Sequence, residues 1–142
     1  MTCYTHILVG LDLTDEAITV MAKANLLAQA CGASLSIVHV VEPLAFAYGG
    51  DIPVDLTEAQ QAIEDQAKKR LSSLAADNQV PVQGSHVVLG QTSAELRRLA
   101  GELNADLIVV GTHGRHGLAL LLGSTASGVI RGAEQDVLAV KV

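Results

Sequence analysis

Aromatic side chains are nearly absent from this chain of 142 residues, which has two Tyr, one Phe and no Trp. Platforms on which bases could stack are therefore missing, and this counts against recognition of single-stranded nucleic acid. Basic residues are also few. Nine Lys and Arg stand against fifteen Asp and Glu, giving a net charge of −6. Such a surface repels a phosphate backbone, so generic DNA or RNA binding is not expected, although a local site for one small anion is compatible with it. No apolar run approaches the length of a membrane span. The opening Met1 to Thr5 lacks the basic start and apolar stretch of a signal peptide. A cytoplasmic location with no membrane partner is the expectation. Cysteine is limited to Cys3 and Cys31, without metal-type spacing. Cys31 falls on the apolar face of a predicted helix and reads as a small buried thiol rather than a redox group.

What is present is aliphatic. Hydrophobic residues make up 49% and charged residues 17%, which excludes intrinsic disorder. The length suits one domain over residues 1–142. A core of Val, Leu, Ile and Ala points to parallel strands buried on both faces. The run Ile7-Leu8-Val9-Gly10-Leu11-Asp12 reads as the first strand. Thr14 and Asp15 offer caps for a helix. Its buried face is Ala17, Val20, Met21, Ala24, Leu27, Ala28 and Cys31, and Gly32 stops it. Leu35 to Val41 is a second strand. Glu42 to Leu56 is an irregular connection, long enough to be either mobile or functional.

Thr57 with Gln60 resembles a capping box for a helix that runs to about Asn78. Its Glu64, Asp65, Lys68, Lys69 and Arg70 read as a solvated face. His86 to Leu89 is a third strand. Thr92 and Glu95 suggest a second capping box, with Leu96, Leu99, Ala100 and Leu103 as the buried stripe. Asp106 to Val110 is almost wholly apolar and is expected to be central. A Gly-rich stretch leads to a helix near Ser124 to Arg131, and Val137 to Val142 closes the chain as a fifth strand. This alternation predicts an α/β fold: an open five-stranded parallel sheet with helices on both faces and right-handed connections. Ligands of such sheets bind beyond the carboxyl ends of the strands, where strand order reverses.

The segment from Gly111 to Thr125 carries the most chemical information. Gly111 and Gly114 let the backbone turn sharply and approach a ligand. Gly123-Ser124 opens a helix whose free N–H groups and positive dipole end favour an anion. Two such donors across an apolar Leu run fit a polyphosphate, with Arg115 to neutralise charge and the Ser124 and Thr125 hydroxyls as further donors. A Gly-rich turn before an ordinary Ser-capped helix is the alternative. No Gly-Lys-Ser/Thr step occurs, so this is not a Walker A loop. His113 and His116 lack a third ligand nearby, which disfavours a dedicated transition-metal site. His39 and His86 are expected to be packed or edge residues of strands.

These pieces together resemble the universal stress protein family over the whole chain. The matching elements are His6 to Asp12, the strand ending His39-Val40, the segment Ala105 to Gly114, the Leu122-Gly123-Ser124 step and the terminal Val137 to Val140. The resemblance implies an adenine nucleotide alpha hydrolase-like sheet of order 3-2-1-4-5, with its reversal between strands 1 and 4. It also implies ATP as ligand, with Mg²⁺ carried by the phosphates. The implied contact set is Leu11, Asp12, Val40, Gly111, Thr112, His113, Gly114, Arg115, Gly123, Ser124 and Thr125. Within it, Asp12 lies near the ribose or metal and the Val40 backbone meets the adenine edge. Gly111, His113, Gly114 and Arg115 line the phosphate loop, while Gly123, Ser124 and Thr125 hold the terminal phosphates.

ATP-binding members resemble Gly-x-x-Gly, nine residues, then Gly-Ser/Thr. Here Arg115 to Leu122 is one residue shorter. Such a deletion displaces the following helix start by about 1.5 to 3.5 Å unless the loop reshapes, and Gly117 gives it room to do so. Gly10 stands where some binders carry Pro.

The leading expectation is a cytoplasmic stress-response protein that binds ATP as a sensor or switch. No activating Lys or evident general base accompanies the loop, so at most slow hydrolysis is expected. The alternative is a dimeric interaction protein of the non-binding branch with a vestigial pocket, and the short loop favours it. In either case the last strand is expected to pair two copies into a homodimer. A receiver-type phosphoacceptor is disfavoured because Leu89-Gly90-Gln91 ends the third strand.

Overall fold

Period-two alternation builds the sheet. In the computed structural model, Ile7 and Val9 of strand β1 (His6–Gly10) join one apolar cluster and Leu8 joins another. Strand β4 (Leu107–Gly111) divides likewise, with Leu107 and Val109 in the first cluster and Ile108 and Val110 in the second. Burial on both faces is the reason these strands read as continuous aliphatic runs. The structure describes residues 3–43, 56–112 and 124–142. The remaining elements are α1 (Glu16–Cys31), β2 (Ser34–Val41), α2 (Leu56–Asp77), β3 (Gly84–Leu89), α3 (Thr92–Glu102), α4 (Ser124–Gly132) and β5 (Asp136–Val140). Most of the connection expected from Glu42 to Leu56 lies outside the described residues.

All strands are parallel, in the order β3-β2-β1-β4-β5. The expected fold class and strand order are therefore observed. Helices α1 and α2 supply Val20, Met21, Leu71 and Ala75 to the first cluster. Helices α3 and α4 supply Leu96, Leu99, Ala126 and Val129 to the second. Right-handed crossovers explain this segregation. The chain moves outward from β1 to β3 with its helices on one face, then returns through β4 to β5 with its helices on the other. The two directions part between β1 and β4, and in open α/β sheets it is outside the carboxyl ends of such strands that ligand crevices form.

Several local expectations are corrected. Asp15 occupies the cap position of α1 in helical conformation and makes no side-chain cap hydrogen bond. Helix α3 is capped by Gln91 rather than by a Thr92–Glu95 box: the Gln91 side chain accepts from the Ala94 N–H at 2.8 Å. Glu95 instead pairs with Arg98 at 2.6 Å. Helix α2 already includes Leu56, so Thr57 lies inside its first turn.

The cysteine expectation is also overturned. Cys31 is the last residue of α1, only partly buried, and forms a disulfide with the exposed Cys3. The cause is register. Gly32 takes a left-handed conformation at φ 69° and turns the chain into β2, where Ser34 pairs with His6. Cys31 and Cys3 each lie three residues before that pair, and their Cα atoms are 5.1 Å apart.

The start of β1 is anchored by a carboxylate. Asp106 accepts from the Thr5 N–H at 2.9 Å, the Thr5 hydroxyl at 3.1 Å and the His6 N–H at 3.0 Å. Burial pushes the Asp106 carboxyl up, but these bonds outweigh it and hold the group below the usual carboxylate range. A folded-state pKa below the unfolded one contributes stability above the unfolded value, and that contribution is lost as pH falls through the folded one. Asp106→Asn is expected to cost about 1 to 2 kcal/mol at pH 7, the bonds being partly solvent-exposed. In urea titrations the gap between wild type and variant should hold from pH 7 to 5 and shrink below about pH 4. A gap unchanged in acid would contradict this role.

Candidate nucleotide crevice

Strand register brings three of the sequence-predicted segments to one end of the sheet. Val9 pairs with Val109, so Leu11 and Gly111 stand level two residues further on. Gly10 pairs with Val38, so Asp12 stands level with Val40. Thr112 follows directly on Gly111. His113, Gly114, Arg115 and Gly123 lie outside the described residues. Ser124 is the first residue of α4, and Thr125, partly buried, is the second.

The orientation of the β2 backbone follows from its neighbours. The Val38 carbonyl accepts from Leu11 N–H at 2.9 Å, on the β1 side. The Val41 carbonyl accepts from Gly90 N–H at 3.0 Å, on the β3 side. Residues two apart on a strand present their backbone groups to the same side. Val40 therefore presents both its N–H and its C=O to the β1 side, beyond the last β1 residue paired with β2. Its side chain is buried in the core, so the backbone is what it offers to a ligand.

Leu11 has a different role. Its side chain is in the core, its N–H is bonded to Val38, and its carbonyl accepts from Nδ1 of the buried His39 at 2.6 Å. It ties the chain just past β1 to β2. Asp12 closes a turn: its Oδ1 accepts from the Thr14 N–H at 3.1 Å and from the Thr14 hydroxyl at 2.7 Å. Both bonds go to one oxygen, and neither reaches Oδ2. The Thr112 N–H donates to the Val140 carbonyl at 2.9 Å, and its hydroxyl accepts from the Val142 N–H at 3.1 Å. Its hydroxyl proton is what it can give to a ligand.

Two supporting residues were not legible as such. His39 reads as a packed or edge residue of a strand, yet it is buried and tethers Leu11. Arg70, read as part of a solvated face, donates from Nε to the Leu13 carbonyl at 3.1 Å. Leu13 has φ 62°, the left-handed region that non-Gly residues seldom adopt, and Arg70 holds the turn immediately after Asp12. Nothing in the local sequence signals a contact across 57 positions.

Comparison with known proteins identifies the family of this fold. A profile of the Universal stress protein family matches residues 4–141. The chain is 42% identical over 139 residues to Universal stress protein A homolog 1 of Coxiella burnetii, with 96% of each chain covered. Among solved structures, a universal stress protein in complex with cAMP is 27% identical, with a TM-score of 0.65 and coverage of 99% of this chain and 98% of that one. A universal stress protein from Archaeoglobus fulgidus in complex with dAMP, 23% identical with a TM-score of 0.68, covers 99% of this chain and 100% of that one and shares the fold.

Proposed function

This chain belongs to the universal stress protein family, and from that premise we propose that it binds ATP, with Mg²⁺ on the phosphates, at the carboxyl ends of β1 and β4. The observation that carries this reading is the Val40 backbone. A paired donor and acceptor aimed past the end of β1 suits the edge of an adenine, which offers an acceptor beside a donor. Asp12 stands level with it, with Oδ2 for a ribose hydroxyl or a hydrated Mg²⁺. Gly111, Thr112, His113, Gly114 and Arg115 line the phosphates in this reading, and Gly123, Ser124 and Thr125 receive the terminal ones at the start of α4. That relatives bind cAMP and dAMP supports an adenine ligand. The protein acts as a cytoplasmic nucleotide sensor in the stress response, with at most slow hydrolysis.

The short loop favours a second reading, an interaction protein with a vestigial pocket. Calorimetry separates the two. Wild type should bind Mg-ATP, and one Gly inserted between Ala119 and Leu120 should tighten binding about tenfold by restoring register at Gly123-Ser124. No binding by either protein, with circular dichroism unchanged, would favour the vestigial pocket.

The proposed homodimer uses β5, which ends the described sheet. Val140 presents its C=O to β4, where it accepts from Thr112. By period two, Val137 and Ala139 present theirs to the free edge. A twofold axis would let two such edges pair antiparallel. Ala139→Pro removes one edge N–H and leaves the β4 ladder intact. Light scattering at micromolar concentration should show a shift from dimer to monomer. A wild type already monomeric there would refute the pairing.

A further inference from the structure

We propose that Cys3 and Cys31 form a reversible thiol–disulfide site, oxidised by a small-molecule disulfide of the glutathione class. The pair is bonded in the structure, and neither residue is buried. Its placement is built into the fold, because both cysteines precede the paired residues His6 and Ser34 by the same interval. The Cα separation of 5.1 Å lies within the range that a disulfide spans without backbone movement, about 4.4 to 6.8 Å.

The fold does not depend on the bond. The segment around Cys3 is held independently: the Tyr4 hydroxyl donates to Asp136 at 2.8 Å, Thr5 is held by Asp106, and the Thr5 carbonyl accepts from Ser34 N–H at 2.9 Å. Neither cysteine belongs to either apolar cluster. The reduced chain therefore keeps its architecture. Such a bond can open and close, unlike the staple of a small secreted domain.

The two sulfurs have different parts in the exchange. Cys31 lies at the carboxyl end of α1, where the helix dipole disfavours a thiolate. Cys3 is exposed and outside any helix, so its thiolate is the entering nucleophile. It attacks one sulfur of glutathione disulfide, forming a mixed disulfide and releasing one glutathione thiolate. The Cys31 thiolate then attacks the Cys3 sulfur, forming the internal bond and releasing the second glutathione. The two thiol protons end on the two glutathiones. The protein is oxidised by two electrons, and one glutathione disulfide is reduced. The bond lies at the amino-terminal end of the sheet, opposite the crevice, so the proposal stands independently of the nucleotide reading.

The test is equilibration of the whole chain in glutathione buffers of stepped ratio, followed by acid quench, alkylation and intact mass measurement. The expected result is a single transition between a doubly alkylated chain and an unalkylated chain two hydrogens lighter. Cys31→Ser should stop at a mixed disulfide on Cys3. The oxidised form should melt higher by roughly 10 °C, since the bond closes a long loop. Two alkylated cysteines at the most oxidising ratio would overturn the proposal. So would a bond that persists at the most reducing ratio, or one that forms only between chains.

Discussion

Replacing Gly128 by valine is expected to lower the melting temperature by roughly 10 °C, a loss of about 3 kcal/mol. Gly128 lies in α4 between the buried Ala126 and Val129, facing the first turn of α3. A Cβ built there would sit 2.6 Å from Ser93 Oγ and 2.7 Å from Ser93 Cβ. Ser93 cannot give way cheaply. It is buried, its hydroxyl donates to Gln91 at 3.0 Å, and Gln91 caps α3. The two helices must separate instead, opening the cluster around Leu96 and Val129.

Alanine at the same position separates helix propensity from packing. In an open helix, glycine to alanine stabilises by about 1 kcal/mol. Here overpacking opposes that gain with about 1 to 3 kcal/mol, so Gly128→Ala should gain nothing and lose up to about 2 kcal/mol. Gly101 in α3 provides the control, because nothing lies within 4 Å of a Cβ added there, and Gly101→Ala should stabilise. Thermal melts of the three variants decide the matter. A Gly128→Ala protein as stable as Gly101→Ala would mean that α3 and α4 do not meet at Ser93.

Gly114→Val is expected to weaken Mg-ATP binding by at least about 100-fold, equivalent to about 2.8 kcal/mol. Gly114 lies outside the described residues, in the Gly-x-x-Gly step that follows β4. A phosphate cradled by backbone N–H groups needs approach to within hydrogen-bond distance, and a branched side chain occupies that space. Each charge-assisted bond lost costs about 1.5 to 3 kcal/mol, so loss of one or two accounts for the effect. Calorimetry should show the loss while the melting temperature stays within a few degrees of wild type. Unchanged affinity would remove Gly114 from the site.

Much of the architecture was legible because strands buried on both faces declare themselves. Ile7 to Val9 and Leu107 to Val110 are continuous aliphatic runs, and helix faces such as Val20, Met21 and Ala24 recur at helical spacing. Strand ends were less legible. Gly84 and Ser85 belong to β3 although neither is apolar, because pairing with Ser36 and Ile37 of β2 extends the ladder. Caps were misread because several polar residues competed for one role. Gln91 was one position better placed than Thr92, and Thr14 was already committed to Asp12.

The site divides along the same line. Once the family resemblance supplies the strand order, Asp12, Val40 and Gly111 fall at one end of the sheet. His39, Arg70 and the Cys3–Cys31 bond could not be placed that way, because each depends on contacts between positions at least 28 residues apart. No pattern within a helix or strand encodes such a contact.

The most direct test of the proposed site is a map of backbone amide shifts in a ¹⁵N-labelled sample titrated with Mg-ATP. Binding at the proposed site predicts saturable shifts at Leu11, Asp12, Val40, Gly111, Thr112, Ser124 and Thr125, with little change at Thr5, Cys31 and Asp106 at the opposite end of the sheet. Shifts confined to that opposite end, or none at millimolar nucleotide, would contradict it.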